Sequence, residues 1–486
     1  KMPTVCRIRC GPRPLAQVPG ILVNPMMAYS LFVRDLQAES VAGVLAGSVL
    51  AAPLVAAKPD TLFPSMGNSG YQVRAYDVAI DYAPLTNRAI ATVRIRAVAR
   101  QEMRRFHLDF SGPEVTAVTV DKQPATFVRR GDELVVTPAE PLEKGRFTVV
   151  VSYDGEPPEH TDPDGSTEGW VRTSDGAVAI NEPIGAMTWL PSNNTPGDKA
   201  RFTFRVSAPA GYSVVANGEL VGTAPHGTGT TWTWRQDEPM STFLAMVGIG
   251  RYDVTESSVT SIDGRELPLW FYEDAAVGGA RTAREVLPEV IAFCEKLFGA
   301  YPFSSGGHVV DDAYVGYALE TQTRPFYPPG GASTSTVVHE TAHQWFGNSV
   351  TLTDWHDIWL AEGWATFTEW LWSGAHDGRT PRERFDTLYA RDADDDLWSP
   401  APTEFTDPAD LFGEPVYNRG AMTLFVLRRE IGTRDFKKLG RRWAAKHAYG
   451  NVTTRDFERL AEKVSGEQLD DLFDDWLRLD GKPKGY

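Results

Sequence analysis

The stretch His339-Glu340-Thr341-Ala342-His343 combines two imidazoles and a carboxylate at a spacing suited to metal chemistry. Histidines four apart on a helix project from one face about one turn apart, so both rings can reach a single zinc ion. The glutamate after the first histidine then lies beside the metal, where it can take a proton from water. Alone, the pentapeptide is only moderately specific. Val337 and Val338 before it, with Trp345 and Phe346 after it, make the helix apolar on several sides. A buried helix must find partners for its His, Glu and His, whereas a surface helix would leave them solvated. Ser333–Thr336 as a cap and Gly347-Asn348 as a stop bound the predicted helix to a few turns.

A tetrahedral site that keeps one position for water needs a third protein ligand. Glu362, within Trp359-Leu360-Ala361-Glu362-Gly363, meets that need. Eighteen residues separate it from His343, enough for the chain to turn and run a second amphipathic helix beside the first. The predicted metal set is therefore His339, His343 and Glu362, holding one Zn2+ per chain, with Glu340 as proton acceptor. Asp357 and Glu369 are candidates to accept from the imidazole N–H groups. Carboxylates at a helix start or on a helix face also occur without such a role.

His339–Asn348 (HETAHQWFGN), followed by Trp359–Gly363 (WLAEG), resembles the zinc gluzincin aminopeptidases, the aminopeptidase N and leukotriene hydrolase family. The resemblance implies a β-domain followed by a thermolysin-like catalytic domain, and weaker agreement with that order spans most of 70–480. It also implies roles for three more residues. Tyr417, in Val416-Tyr417-Asn418-Arg419-Gly420-Ala421, looks like the family's tyrosine that hydrogen-bonds the tetrahedral oxyanion, a task suited to a phenol opposite zinc. Glu320, in Tyr317-Ala318-Leu319-Glu320-Thr321, matches the glutamate of the family's Gly-Ala-Met-Glu-Asn strand, which binds the substrate's free amino group. Tyr317 and Thr321 depart from that pattern. Glu182, in Asn181-Glu182-Pro183-Ile184-Gly185-Ala186, looks like a second amine-binding residue, donated by the β-domain.

The activity so implied is hydrolysis of N-terminal residues from peptides that carry a free N-terminus. A zinc endopeptidase of the same fold would need neither Glu182 nor Glu320. Epoxide hydrolysis of the leukotriene type is a further alternative, performed by resembling relatives that use an extra helical domain. A catalytically inactive protein that keeps zinc for structure would dispense with Glu340.

The elements that must position these groups fall into two kinds. From Tyr71 to Tyr252 apolar residues alternate with polar ones, as in Val93, Ile95 and Ala97 or Phe202, Phe204 and Val206, and turn residues break the runs about every ten positions. That rhythm predicts an antiparallel β-sandwich. After about residue 275 the period becomes helical, with helices predicted over 334–346, 357–373, 381–391, 417–431, 433–447, 454–464 and 467–479. Leu287, Val290, Ile291 and Cys294 form an earlier stripe, with Pro288 in or near its first turns and Cys294 as a small core residue. Gly307–Val310 and Tyr314–Leu319 read as strands of a small sheet. The acidic segment 160–169 (HTDPDGSTEG) lacks the order of a calcium loop and reads as a solvated loop.

The chain has 486 residues and a net charge of −16 with no compensating basic run, which excludes a nucleic-acid binder. Val41–Ala57 is an uncharged run of small and branched residues broken by Gly43, Gly47 and Pro53. It fits an export signal better than a membrane span, so a secreted or cell-envelope location is expected. A disordered tail or surface helix, with a cytoplasmic location, is the alternative. The predicted organisation is a leader over 1–57, a β-domain over 58–255 and a thermolysin-like domain over 256–486.

Overall fold

Alternating side chains build the first half as expected. In the strand Arg88–Ala99, Val93, Ile95 and Ala97 are buried while Arg96 faces solvent. Phe202, Phe204 and Val206 do the same in Ala200–Ala208. These strands belong to an eight-stranded sheet whose central member is Tyr71–Ala83. It pairs antiparallel with Arg88–Ala99 but parallel with Ala200–Ala208, so the predicted antiparallel sandwich contains one parallel join. A five-stranded sheet carries Thr167–Arg172 and Ala177–Ile180, and a three-stranded sheet completes the β-rich half. The structure, a computed structural model, describes residues 60–486; the leader reading of 1–57 lies outside the described residues.

Pairing partners change after Gly250. The strand Tyr252–Thr260, in which residue 255 lies, pairs with Glu266–Asp274, which then runs parallel to Gly306–Val310. The helix Ala280–Phe298 follows this hairpin, with Pro288 in its interior rather than near its start. Cys294 on it is fully buried, and burial pushes its thiol far up, as suits a core residue. The predicted strand Tyr314–Leu319 does not form. Gly316 takes a positive φ of 90° and Tyr314 is 84% exposed, so the run turns instead of extending, and only Leu319 bridges to Phe326.

The helices that matter for chemistry are Thr334–His343 (the motif helix), Trp359–Ala375 and Gly420–Lys446. Ser333 caps the motif helix by accepting from Thr336 N–H at 3.2 Å. The helix stops at His343, three residues earlier than predicted, because Gly347 adopts φ 122° and the chain turns through Gln344–Asn348. Gly420–Lys446 joins the two helices predicted over 417–431 and 433–447, with a break at Gly432. The predicted 467–479 helix shrinks to Asp470–Phe473 plus a π-turn at Asp474–Arg478.

One lysine ties the halves together. Lys199 is buried, and its Nζ donates to the carbonyls of Asn348 and Ser349 at 2.7 and 3.0 Å and to Thr351 Oγ1 at 2.8 Å. Burial pushes its amine down to about 7. It satisfies carbonyls in the turn behind the motif helix that no helical partner reaches.

Candidate metal centre

The two histidines point at one oxygen. His339 Nε2 lies 3.0 Å and His343 Nε2 3.4 Å from Glu362 Oε2, and the three ligand atoms fall within 4.8 Å of one another. A tetrahedral zinc with bonds of ~2.0–2.2 Å sets neighbouring ligands ~3.3–3.6 Å apart. The opposite ring nitrogens are already engaged. His339 Nδ1 sits 2.7 Å from Glu369 Oε1, and His343 Nδ1 lies 3.1 Å from the Phe346 carbonyl. With those acceptors taking the Nδ1 protons, both Nε2 lone pairs are left for a cation. The residues fit zinc.

Close backbone packing brings Glu362 to this point. A Cβ on Gly363 would stand 2.9 Å from the Gly420 carbonyl carbon, so the two glycines let their helices cross backbone against backbone. The same crossing delivers Tyr417 from the turn Pro415–Arg419 just ahead of Gly420. Its ring lies 6.0 Å from that of His339 at an interplanar angle of 23°. Arg419, fully buried, anchors the turn by donating to the carbonyls of Trp398, Asp475 and Leu479.

The motif's second half holds the neighbouring acid. Gln344 Nε2 and Asn348 Nδ2 donate to the Glu320 carbonyl at 3.1 and 2.7 Å. Glu320 Oε1 is thereby set 4.0 Å from His343 Nδ1. Glu182 arrives from the β-rich half, and its carboxylate clusters with those of Glu320 and Glu362 within 4.8 Å. A cavity of about 220 Å³ opens on these groups, lined also by Tyr317, Phe412, Asp164 and Ser166. The seven residues given metal, catalytic or amine-binding roles from the sequence therefore face one space: His339, His343, Glu362, Glu340, Tyr417, Glu320 and Glu182.

Their electrostatics follow from crowding. Burial alone would raise Glu362, but His343 and His339 outweigh it and hold its carboxyl at about 2. Burial pulls His343 down, yet Glu362 and Glu320 bring it up to about 9. Burial raises Glu340 to about 8 against the pull of both imidazoles. Burial and the neighbouring Glu320 and Glu362 push Glu182 well above the usual carboxylate range. Burial, reinforced by Glu362 and Glu182, likewise keeps the Tyr417 phenol protonated and able to donate. Four buried carboxyls against two imidazoles form a receptor for added positive charge.

Two expectations need correction. Asp357 does not reach an imidazole; its Oδ1 accepts from Thr454 N–H and Oγ1, both at 2.7 Å, and so caps the Thr454–Ser465 helix. A carboxylate at a helix start found a neighbouring helix's orphan donors instead. Segment 160–169 is a solvated loop only at its tip, where residues 163–165 form an exposed turn. It folds as the hairpin Glu159–Thr161/Thr167–Arg172, in which Asp162 and Glu168 are buried. Sequence reasoning missed the Phe346 carbonyl; Tyr317, already marked by its departure from the family pattern, donates its phenol to the Thr167 carbonyl at 2.8 Å and walls the cavity. The bulky residue in place of a family glycine was the only signal of that wall.

A model described as the Peptidase family M1 domain matches residues 331–476, and one described as the Peptidase M1 N-terminal domain matches 72–244. Among curated relatives, the "Probable aminopeptidase 2" of Sulfurisphaera tokodaii is 27% identical over 334 residues, covering 63% of this chain and 41% of its own length. Human glutamyl aminopeptidase is 27% identical over 359 residues, covering 66% and 36%. This chain thus spans less than half the length of either relative. An M1 zinc metallopeptidase from Deinococcus radiodurans superposes with a TM-score of 0.78 at 27% identity, covering 87% of this chain and 98% of that one. A mutant of it was solved with a Tyr-Ser-Ala substrate bound, at 26% identity and TM-score 0.78, covering 87% and 99%.

Proposed function

The chain belongs to the M1 peptidase family, and from that membership and the geometry of its cavity we propose that it is a zinc metalloaminopeptidase. The convergence of His339 Nε2 and His343 Nε2 on one Glu362 oxygen carries the reading. Zinc held there by His339, His343 and Glu362 would supply Lewis acidity, enough to polarise a carbonyl and to acidify a water near neutral pH. Glu340, on the same helical turn as both imidazoles, takes the proton of the attacking water and returns it to the departing amine. Tyr417 donates its hydroxyl to the oxygen that gains negative charge. Glu182 and Glu320, whose mutual repulsion an ammonium group would relieve, hold the substrate's α-amino group. That grip sets the scissile bond one residue in from the terminus, which makes the enzyme an exopeptidase.

Elemental analysis of untagged protein should find zinc, and a chelator should abolish cleavage of aminoacyl reporter amides until zinc is added back. Equal cleavage of N-acetylated and free peptides would reject the amine-binding role of Glu182 and Glu320 while leaving the hydrolase intact. We also propose export, supported by the Val41–Ala57 run; N-terminal sequencing of material from the native host tests it. Among the described residues no helix is long and apolar enough to cross a membrane.

A further inference from the structure

The hairpin beside the cavity holds a second cluster of metal-ligating side chains, built by strand geometry. His160 and Glu168 are direct cross-strand partners, and Asp162 lies two residues beyond His160, so all three point from one face. Their ligand atoms lie within 4.8 Å of one another. His160 Nε2 stands 3.6 Å from Asp162 Oδ1, too far for a hydrogen bond but close to the 3.4 Å between His343 Nε2 and Glu362 in the catalytic set. Asp162 is only 6% exposed, its carboxyl stands against that of Glu168, and no N–H or hydroxyl group donates to either of its oxygens. A buried carboxylate in that condition is costly unless a proton or a cation completes it. Glu168 is fully buried and accepts from Ile184 N–H at 3.2 Å, which leaves lone pairs directed at Asp162.

We propose that His160, Asp162 and Glu168 form a second divalent-cation site, separate from the catalytic one. One imidazole with two carboxylates suits a borderline transition cation such as zinc, whereas calcium takes oxygen ligands. An ion here ties the hairpin, whose Asp164 and Ser166 line the cavity, to the Ile184 amide two residues after Glu182.

The test is a zinc titration of the untagged full chain, stripped with a chelator and returned to zinc chloride, with bound metal counted per chain. Wild type takes two equivalents. His160→Ala and Asp162→Asn each take one, and His343→Ala also takes one, which adding His160→Ala removes. Circular dichroism reports whether each variant folds, and His160, partly exposed, is the substitution the fold tolerates best. If wild type saturates at one equivalent that His343→Ala abolishes, or if His160→Ala and Asp162→Asn still take two, the site does not exist and the two carboxyls share a proton. If calcium chloride fills the site in wild type and zinc does not, the cation class is overturned. If wild type takes one equivalent that His160→Ala abolishes and His343→Ala leaves in place, the catalytic reading is refuted and this site stands.

Discussion

Glu369 holds His339 rather than the metal, so its removal should weaken zinc binding more than turnover. Its Oε1 accepts from His339 Nδ1 at 2.7 Å, its Oε2 takes the Ser335 hydroxyl, and the side chain is 21% exposed. A hydrogen bond to a charged group of this kind contributes about 1.5–3 kcal/mol. At ~1.4 kcal/mol per tenfold, Glu369→Ala should raise the zinc dissociation constant about 10- to 100-fold. Glu369→Gln keeps a neutral acceptor in place and should cost about tenfold or less. Affinity is read by competition with a chromogenic chelator, and turnover is measured at saturating zinc, where the Ala variant should recover most of it. A Glu369→Ala protein that binds zinc as tightly as wild type would falsify the argument, because packing alone would then orient the ring.

Glu340→Gln should keep its zinc and lose about 10²–10⁴-fold in kcat; persistence of turnover in the zinc-loaded variant would remove Glu340 from the proton path. Gly363→Ala puts a methyl 2.9 Å from the Gly420 backbone, so a loss of about 1–3 kcal/mol of stability and a displaced Tyr417 are expected; an unchanged melting temperature with full kcat would show that the crossing is slack. Asp354 supplies a pH dependence away from the site. Burial would raise it, but hydrogen bonds from His356 and Thr61 hold it at about 2, below its ordinary 3.8. Its contribution to stability is therefore present above about pH 4 and lost as pH falls toward 2. The stability gap between wild type and Asp354→Asn should close over that window, and parallel curves would contradict the assignment.

Local rules carried much of this protein. Helical periodicity placed His339, Glu340 and His343 on one face, and period-two alternation identified the buried faces of the β-rich half, because both depend only on the geometry of single elements. The resemblance carried by HETAHQWFGN and WLAEG then pointed to Tyr417, Glu320 and Glu182, which no local period could have joined. What the chain alone left open depends on contacts between elements distant in sequence. Asp357 and Glu369 are both carboxylates near the metal helices, and only packing decided that one faces Thr454 and the other His339. The parallel pairing of Tyr71–Ala83 with Ala200–Ala208 is set by crossover topology, to which side-chain alternation is blind. The acidic segment 160–169 has the composition of an exposed turn, yet cross-strand pairing and the cover of the 182–185 loop bury Asp162 and Glu168. Composition reports average affinity for water; burial is decided by what the rest of the chain lays on top.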